Sequence, residues 1–137
     1  MTAFPPSVSL SFVSVICNDI VAQSAFYAGV FALPTATELS SDHFRALRLG
    51  DTILGFHTTA AISLLDLPQD TPIGDAAAAF WTFEVHGKQD VDTLTDSAVA
   101  AGGRLVKAPY TTYYGAYQSV LRDPEGNVFR INKSGVA

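Results

Sequence analysis

A single cysteine, Cys17, among 137 residues leaves no partner for an internal disulfide and too few thiols for a multi-cysteine zinc site. Neither a C-x-x-C pair nor a known catalytic-cysteine signature surrounds it, so Cys17 reads as a small buried hydrophobe. Charge is scarce as well: Asp, Glu, Lys and Arg make up 15% of the chain, which carries a net charge of −5 and a pI near 4.9. The eight basic residues are scattered and form no stripe, which argues against an electrostatic grip on nucleic acid or an anionic membrane. No stretch approaches the ~20 uninterrupted apolar residues of a membrane span. The opening "MTAFPPSVSL" has no positive leader before an apolar run, unlike a signal peptide. These absences predict a soluble, reduced, cytoplasmic protein with no nucleic-acid or membrane partner.

What is present is apolar material, 48% of the chain, enough for one compact core at this length. "SLSFVSVICND" alternates and is rich in β-branched and aromatic residues, the pattern of a strand ending at Asn18 and Asp19. Either of those two can cap the helix that follows, "IVAQSAFYAGVFAL", which Pro34 ends. "HFRALRLGDTILGFHTT" reads as a hairpin turning at Gly50 and Asp51. The second half repeats the order: strand "AFWTFEVHG", a helix started by Gln89 or Asp90 and stopped by Gly102 and Gly103, strand "RLVKAP", and hairpin "AYQSVLRDPEGNVFRINK". The chain thus reads as an α+β fold of two tandem βαβββ units, residues 8–60 and 78–134, joined by a polar linker over 61–77 with two prolines. A ferredoxin-like sandwich is the alternative by pattern alone.

Five marks stand in order along residues 8–133: the strand ending in Asp19, "FYAGVFAL" in the first helix, "AAGGRLV" after the second, "YYG", and "DPEGNVF". In this the sequence resembles the vicinal oxygen chelate superfamily of glyoxalases, bleomycin-resistance proteins and extradiol dioxygenases. The resemblance implies that each unit curls its sheet into half of a cup, the two halves enclosing a pocket. It also implies that metal-using members place one ligand on the first and last strands of each unit. Here those positions fall on Phe12, Gly55, Phe80 and Arg130. Phenylalanine has no donor atom, glycine offers only backbone, and guanidinium is a permanent cation. No metal cofactor is therefore expected; if one is held, it is a divalent ion at a shifted site built from His57, Glu84 and His86.

Arg130, facing the pocket, needs a partner for its charge, either Glu84 on the same strand face as Phe80 or an anionic group on a ligand; turned to the rim, it needs none. His57, two residues past Gly55, is on the same face and can carry a proton or bond a ligand. "PYTTYYGAY" sets Tyr110 and Tyr114 at the pocket mouth, with Tyr113 and Tyr117 beside them, a surface suited to a planar organic ligand. Trp81 and Phe83 alternate away from Phe80 and should face the helices as core. The expected ligand-binding set is Phe12, Gly55, His57, Phe80, Glu84, Tyr110, Tyr114 and Arg130, with His57 and Glu84 as the candidate catalytic groups. The function implied is that of a metal-independent protein of the bleomycin-resistance type holding a small organic molecule. The alternatives are a metal-dependent lyase, isomerase or dioxygenase with shifted ligands, or a metal-free acid/base enzyme. By the same analogy the chain is expected to form a homodimer.

Overall fold

The computed structural model describes residues 6–74 and 77–136. Strand β1 (Phe12–Ile16) sends Val13 and Val15 inward and Phe12 and Ser14 to the opposite face, the period-two alternation of a strand with one packed side. Asp19, of the two candidate caps, starts helix α1 (Ile20–Phe31): its carboxylate accepts the Ala22 N–H at 3.0 Å. That satisfies one of the N–H groups left open by a helix start. Strands β2 (Phe44–Leu49) and β3 (Thr52–His57) form the expected hairpin, and β1 joins β3 in parallel, giving the order β1-β3-β2.

A short helix α2 (Ala60–Leu64) follows and buries Ala61 and Ile62, so the stretch expected as a linker contributes to packing at its start. The second unit comprises β4 (Trp81–Glu84), α3 (Lys88–Ala100), β5 (Arg104–Thr111), β6 (Tyr117–Arg122) and β7 (Val128–Lys133), in the order β4-β7-β6-β5. Helix α3 begins slightly earlier than Gln89, because Gly87 is its N-cap and Asp90 turns back to accept the Gly87 N–H at 3.1 Å.

The fold is the α+β arrangement of two mixed sheets, with a correction in the first unit. Its second strand is reduced to a bridge between Thr35 and Leu47. Residues 34–36 do run beside β2, with the Ala36 N–H on the Ala46 carbonyl at 2.8 Å and the Arg48 N–H on the Pro34 carbonyl at 2.8 Å. Pro34 has no N–H to give, and a 3-10 turn at Thr37–Leu39 leads the chain away. The first sheet therefore has three strands where the second has four.

Helix α1 carries no charged residue, and its position explains why. Tyr27 is fully buried, with its ring 5.6 Å from Phe56 of β3 and 5.5 Å from Phe129 of β7, so α1 serves both sheets and needs more than one apolar face. Helix α3 serves one sheet and buries only the stripe Val91, Thr95 and Ala98. Each fully buried phenylalanine of this core contributes about 1.5–3 kcal/mol. Close approach is secured at Gly103, where a Cβ would lie 2.9 Å from the Ala98 carbonyl and 3.2 Å from Phe26.

The turn "DPEGN" ties the units together. Asp123 is fully buried; one oxygen accepts from Tyr27 Oη at 2.8 Å and Gln23 Nε2 at 2.9 Å, the other from the N–H groups of Glu125 and Asn127. Glu125 reaches across to the N–H groups of Asn18 and Asp19 at 2.7 and 2.8 Å. No helix among the described residues is long and apolar enough to cross a membrane.

Candidate functional site

The strand register relates the four positions at which the resemblance implies metal ligands. In the first sheet Ser14 stands opposite Gly55, which places Phe12 one same-face step from Gly55's partner. In the second sheet Thr82 stands opposite Arg130, and Phe80 just before β4 has the same offset. The two units thus present equivalent pairs, Phe12 with Gly55 and Phe80 with Arg130. Each pair is on the sheet face turned away from the helices, because the alternate residues Leu54, Phe56, Phe129 and Ile131 are core.

On the first sheet this face is aromatic. A Cβ on Gly55 would lie 2.6 Å from Phe44 Cε1, so the ring of Phe44 occupies the space a side chain at 55 would need. Phe12 approaches Phe44 with ring centroids 6.3 Å apart, and the His57 ring lies 4.4 Å from that of Phe44. Burial against these rings lowers the His57 pKa from its ordinary 6.5, since the charged form loses hydration. The imidazole has no hydrogen-bond partner among the described residues.

On the second sheet the face is polar and cationic. Arg130 donates through Nε to Thr82 Oγ1 at 2.9 Å and through Nη1 to Tyr114 Oη at 3.3 Å and, at the 3.5 Å limit, to Gln118 Oε1. Its guanidinium carbon stands 5.1 Å from the Phe80 ring centroid, within cation–π range. Tyr114 donates to Gln118 Oε1 at 2.9 Å, and Gln118 Nε2 donates to Tyr110 Oη at 3.2 Å. Arg130, Phe80, Tyr110 and Tyr114 are thus brought into one network. Tyr113 is fully exposed, and Tyr117 turns to α3, donating to Asp92 at 2.7 Å with Lys88 over its ring.

Glu84 is not the partner of Arg130. Its oxygens accept from Asn132 Nδ2 at 2.7 Å, the Ser134 N–H at 2.7 Å and Ser134 Oγ at 3.3 Å. Desolvation raises its pKa, but these hydrogen bonds and nearby Lys133 outweigh it and the net shift is downward. Glu84 therefore latches the segment after β7, because parallel pairing sets it opposite Asn132. Trp81 and Phe83 face the core as expected.

No group of three or more His, Cys, Asp or Glu side chains among the described residues is placed to hold a metal ion. Of the displaced set, His57 belongs to the first-sheet aromatic patch and Glu84 to the latch after β7. His86, with Glu84, lines a cavity of about 600 Å³ along the outer edge of β4, whose walls are mainly apolar, among them Phe31, Leu33, Leu49, Phe83 and Leu94. Cys17 is buried, with its thiol pushed up to about 12, chiefly by burial and then by Glu125 and Asp123.

Phe44, Thr82 and Gln118 were not singled out from the sequence. Counting outward from the Gly50–Asp51 turn pairs Phe44 with His57, a relation the hairpin pattern already contained. Thr82 follows from alternation with Phe80. Gln118 had a weaker signal, a polar residue two before Val120, which pairs with Arg130.

Comparison with known proteins agrees with this fold. Residues 12–132 match the family model described as a glyoxalase-like domain. The crystal structure of a glyoxalase/bleomycin resistance protein/dioxygenase family enzyme from Burkholderia phytofirmans PsJN is similar at 44% identity and a TM-score of 0.87, over 92% of this chain and 98% of that one. Lactoylglutathione lyase from Agrobacterium tumefaciens shares the fold at 21% identity and a TM-score of 0.71, over 94% and 96% of the two chains. The fosfomycin resistance protein FosX from Mesorhizobium loti does so at 11% and 0.68, over 97% and 96%. The comparison with curated proteins gave no match.

Proposed function

The chain belongs to the glyoxalase-like family, and from that premise we propose that it is a cytoplasmic protein that holds a small organic molecule without a metal ion. The molecule lies against the second-sheet face that carries Arg130. The observation that carries this reading is the chemistry of the four equivalent positions. A divalent ion needs nitrogen or oxygen donors with lone pairs, and Phe12, Gly55, Phe80 and Arg130 supply none from their side chains. Arg130 instead places a fixed positive charge where a cation would sit, and Phe44 fills the space above Gly55. These side chains do not fit a resident metal.

Aromatic surface supports the binding role. Phe80 and Tyr114 remain 53% and 55% exposed beside Arg130, aromatic surface next to a few placed polar groups, the mix of side chains that lines small-molecule sites. Phe12 is also half exposed on the first sheet. We include in the proposal a homodimer in which a second copy covers these faces, excluding water from the ligand. A thermal-shift screen of small aromatic compounds tests the reading: stabilisation should be unchanged by a chelator, and stabilisation that requires added Zn, Mn, Ni or Fe would overturn it.

A further inference from the structure

We propose that the Arg130 face selects a small organic anion, an oxyanion such as a carboxylate attached to a flat apolar group. The proposal rests on the reading above and adds the ligand's charge and shape. The guanidinium has five N–H donors. Nε is committed to Thr82, while Nη1 makes only the longer contacts to Tyr114 and Gln118. Nη2 has no acceptor among the described residues, and no carboxylate among them stands within ion-pair distance of Arg130. Every group that touches this cation is therefore neutral: a hydroxyl, a phenol, an amide and a benzene ring. In a chain of net charge −5, an arginine held by four side chains and paired with no acid leaves its charge for something else.

The surrounding network sets which groups donate and which accept. Gln118 is only 3% exposed, and its oxygen accepts from Tyr114 and Arg130, so its amide nitrogen faces Tyr110 and donates a hydrogen bond to that phenol oxygen. Tyr110 Oη is then an acceptor within the network, and its own hydrogen is uncommitted. Lys107 lies over the Tyr110 ring, Nζ to centroid 3.7 Å, adding a second positive charge beside that phenol. The site thus offers donors and positive charge. An acceptor-only oxyanion matches both, and a cationic ligand meets repulsion. Phe80 and Tyr114 supply the surface for a flat ring attached to the anion.

The test uses three probes of one shape, naphthoate, naphthamide and naphthylmethylammonium, titrated calorimetrically into the purified chain. Naphthoate should bind roughly tenfold or more tighter than naphthamide, and naphthylmethylammonium weakest. Arg130→Gln should abolish the preference for carboxylate over amide, and Arg130→Lys should keep part of it, a point charge without the fork. Tyr110→Phe should weaken naphthoate more than naphthamide. Equal binding of naphthoate and naphthamide to the unaltered chain would overturn the anion proposal while leaving a metal-free aromatic site standing. Tighter binding of the ammonium probe, or no binding of any probe, would overturn it too. Naphthoate binding only after a divalent metal is added would bring down the underlying reading as well.

Discussion

Phe44 and Gly55 share one space: the ring of Phe44 stands where a side chain at position 55 would begin, 2.6 Å from an added Cβ. A side-chain Cβ essentially never comes this close to a carbon it is not bonded to, so any other residue at 55 must displace the ring. Gly55→Ala should therefore break the Phe12–Phe44–His57 patch and cost about 1 kcal/mol, the lower end of overpacking penalties because a ring end can swing. Urea unfolding would measure it. Phe44→Leu added to Gly55→Ala should recover most of the loss, a coupling expected for neighbours.

The same patch makes a statement about protons. His57 has its pKa lowered from 6.5 by burial, so folding favours the neutral ring. Its contribution to stability is complete above pH 6.5 and is lost as the pH falls through the folded value. NMR titration should find His57 below 6.5, and Phe44→Ala should return it toward that value by restoring hydration.

Glu84 should behave as a latch. Its folded pKa lies below the usual 4.5, so the stabilisation it provides is present above pH 4.5 and lost as the pH falls through the folded value. Glu84→Gln should remove that part of the acid-side loss. The cost at neutral pH should be modest, about 0.5–1 kcal/mol, because the carboxylate is exposed and screened. Hydrogen exchange at the Ser134 N–H, which Glu84 holds at 2.7 Å, should accelerate.

Asp123 should be far costlier to lose. Its removal strands the Tyr27 hydroxyl and the Gln23 amide, both fully buried, and frees the turn that carries Glu125 to β1 and α1. At about 1–3 kcal/mol for each stranded polar group, Asp123→Ala should lose several kcal/mol in denaturant unfolding. Tyr27→Phe, which removes one partner and leaves the carboxylate its other donors, should lose about 1 kcal/mol.

Local pattern carried the fold well where periodicity and caps were strong. Asp19, the Gly50–Asp51 hairpin, the apolar α1 and the stop at Gly102–Gly103 all mark boundaries through short-range chemistry, which is visible along the chain. The missing strand near Thr35 is harder to read along the chain, since Pro34 both stops a helix and disables the edge of a sheet. At the site, alternation along one strand is enough to group Gly55 with His57, whereas Phe80 and Arg130 are related only through the family resemblance. Partners across strands were less legible. Glu84 was a plausible mate for Arg130 on one face, yet the parallel register set Thr82 opposite Arg130 and gave Glu84 to Asn132 and Ser134. Phe44 escaped because a ring filling the space above a glycine is a relation between strands, which residue type alone does not reveal.

On the proposal made above, the Arg130 face holds an organic ligand through its guanidinium and aromatic surface, with no metal between. Elemental analysis of the protein, purified without chelator and then equilibrated with Zn, Mn, Ni and Fe, tests it most directly. The account predicts substoichiometric metal after exchange into metal-free buffer; retention of one ion per chain would contradict it.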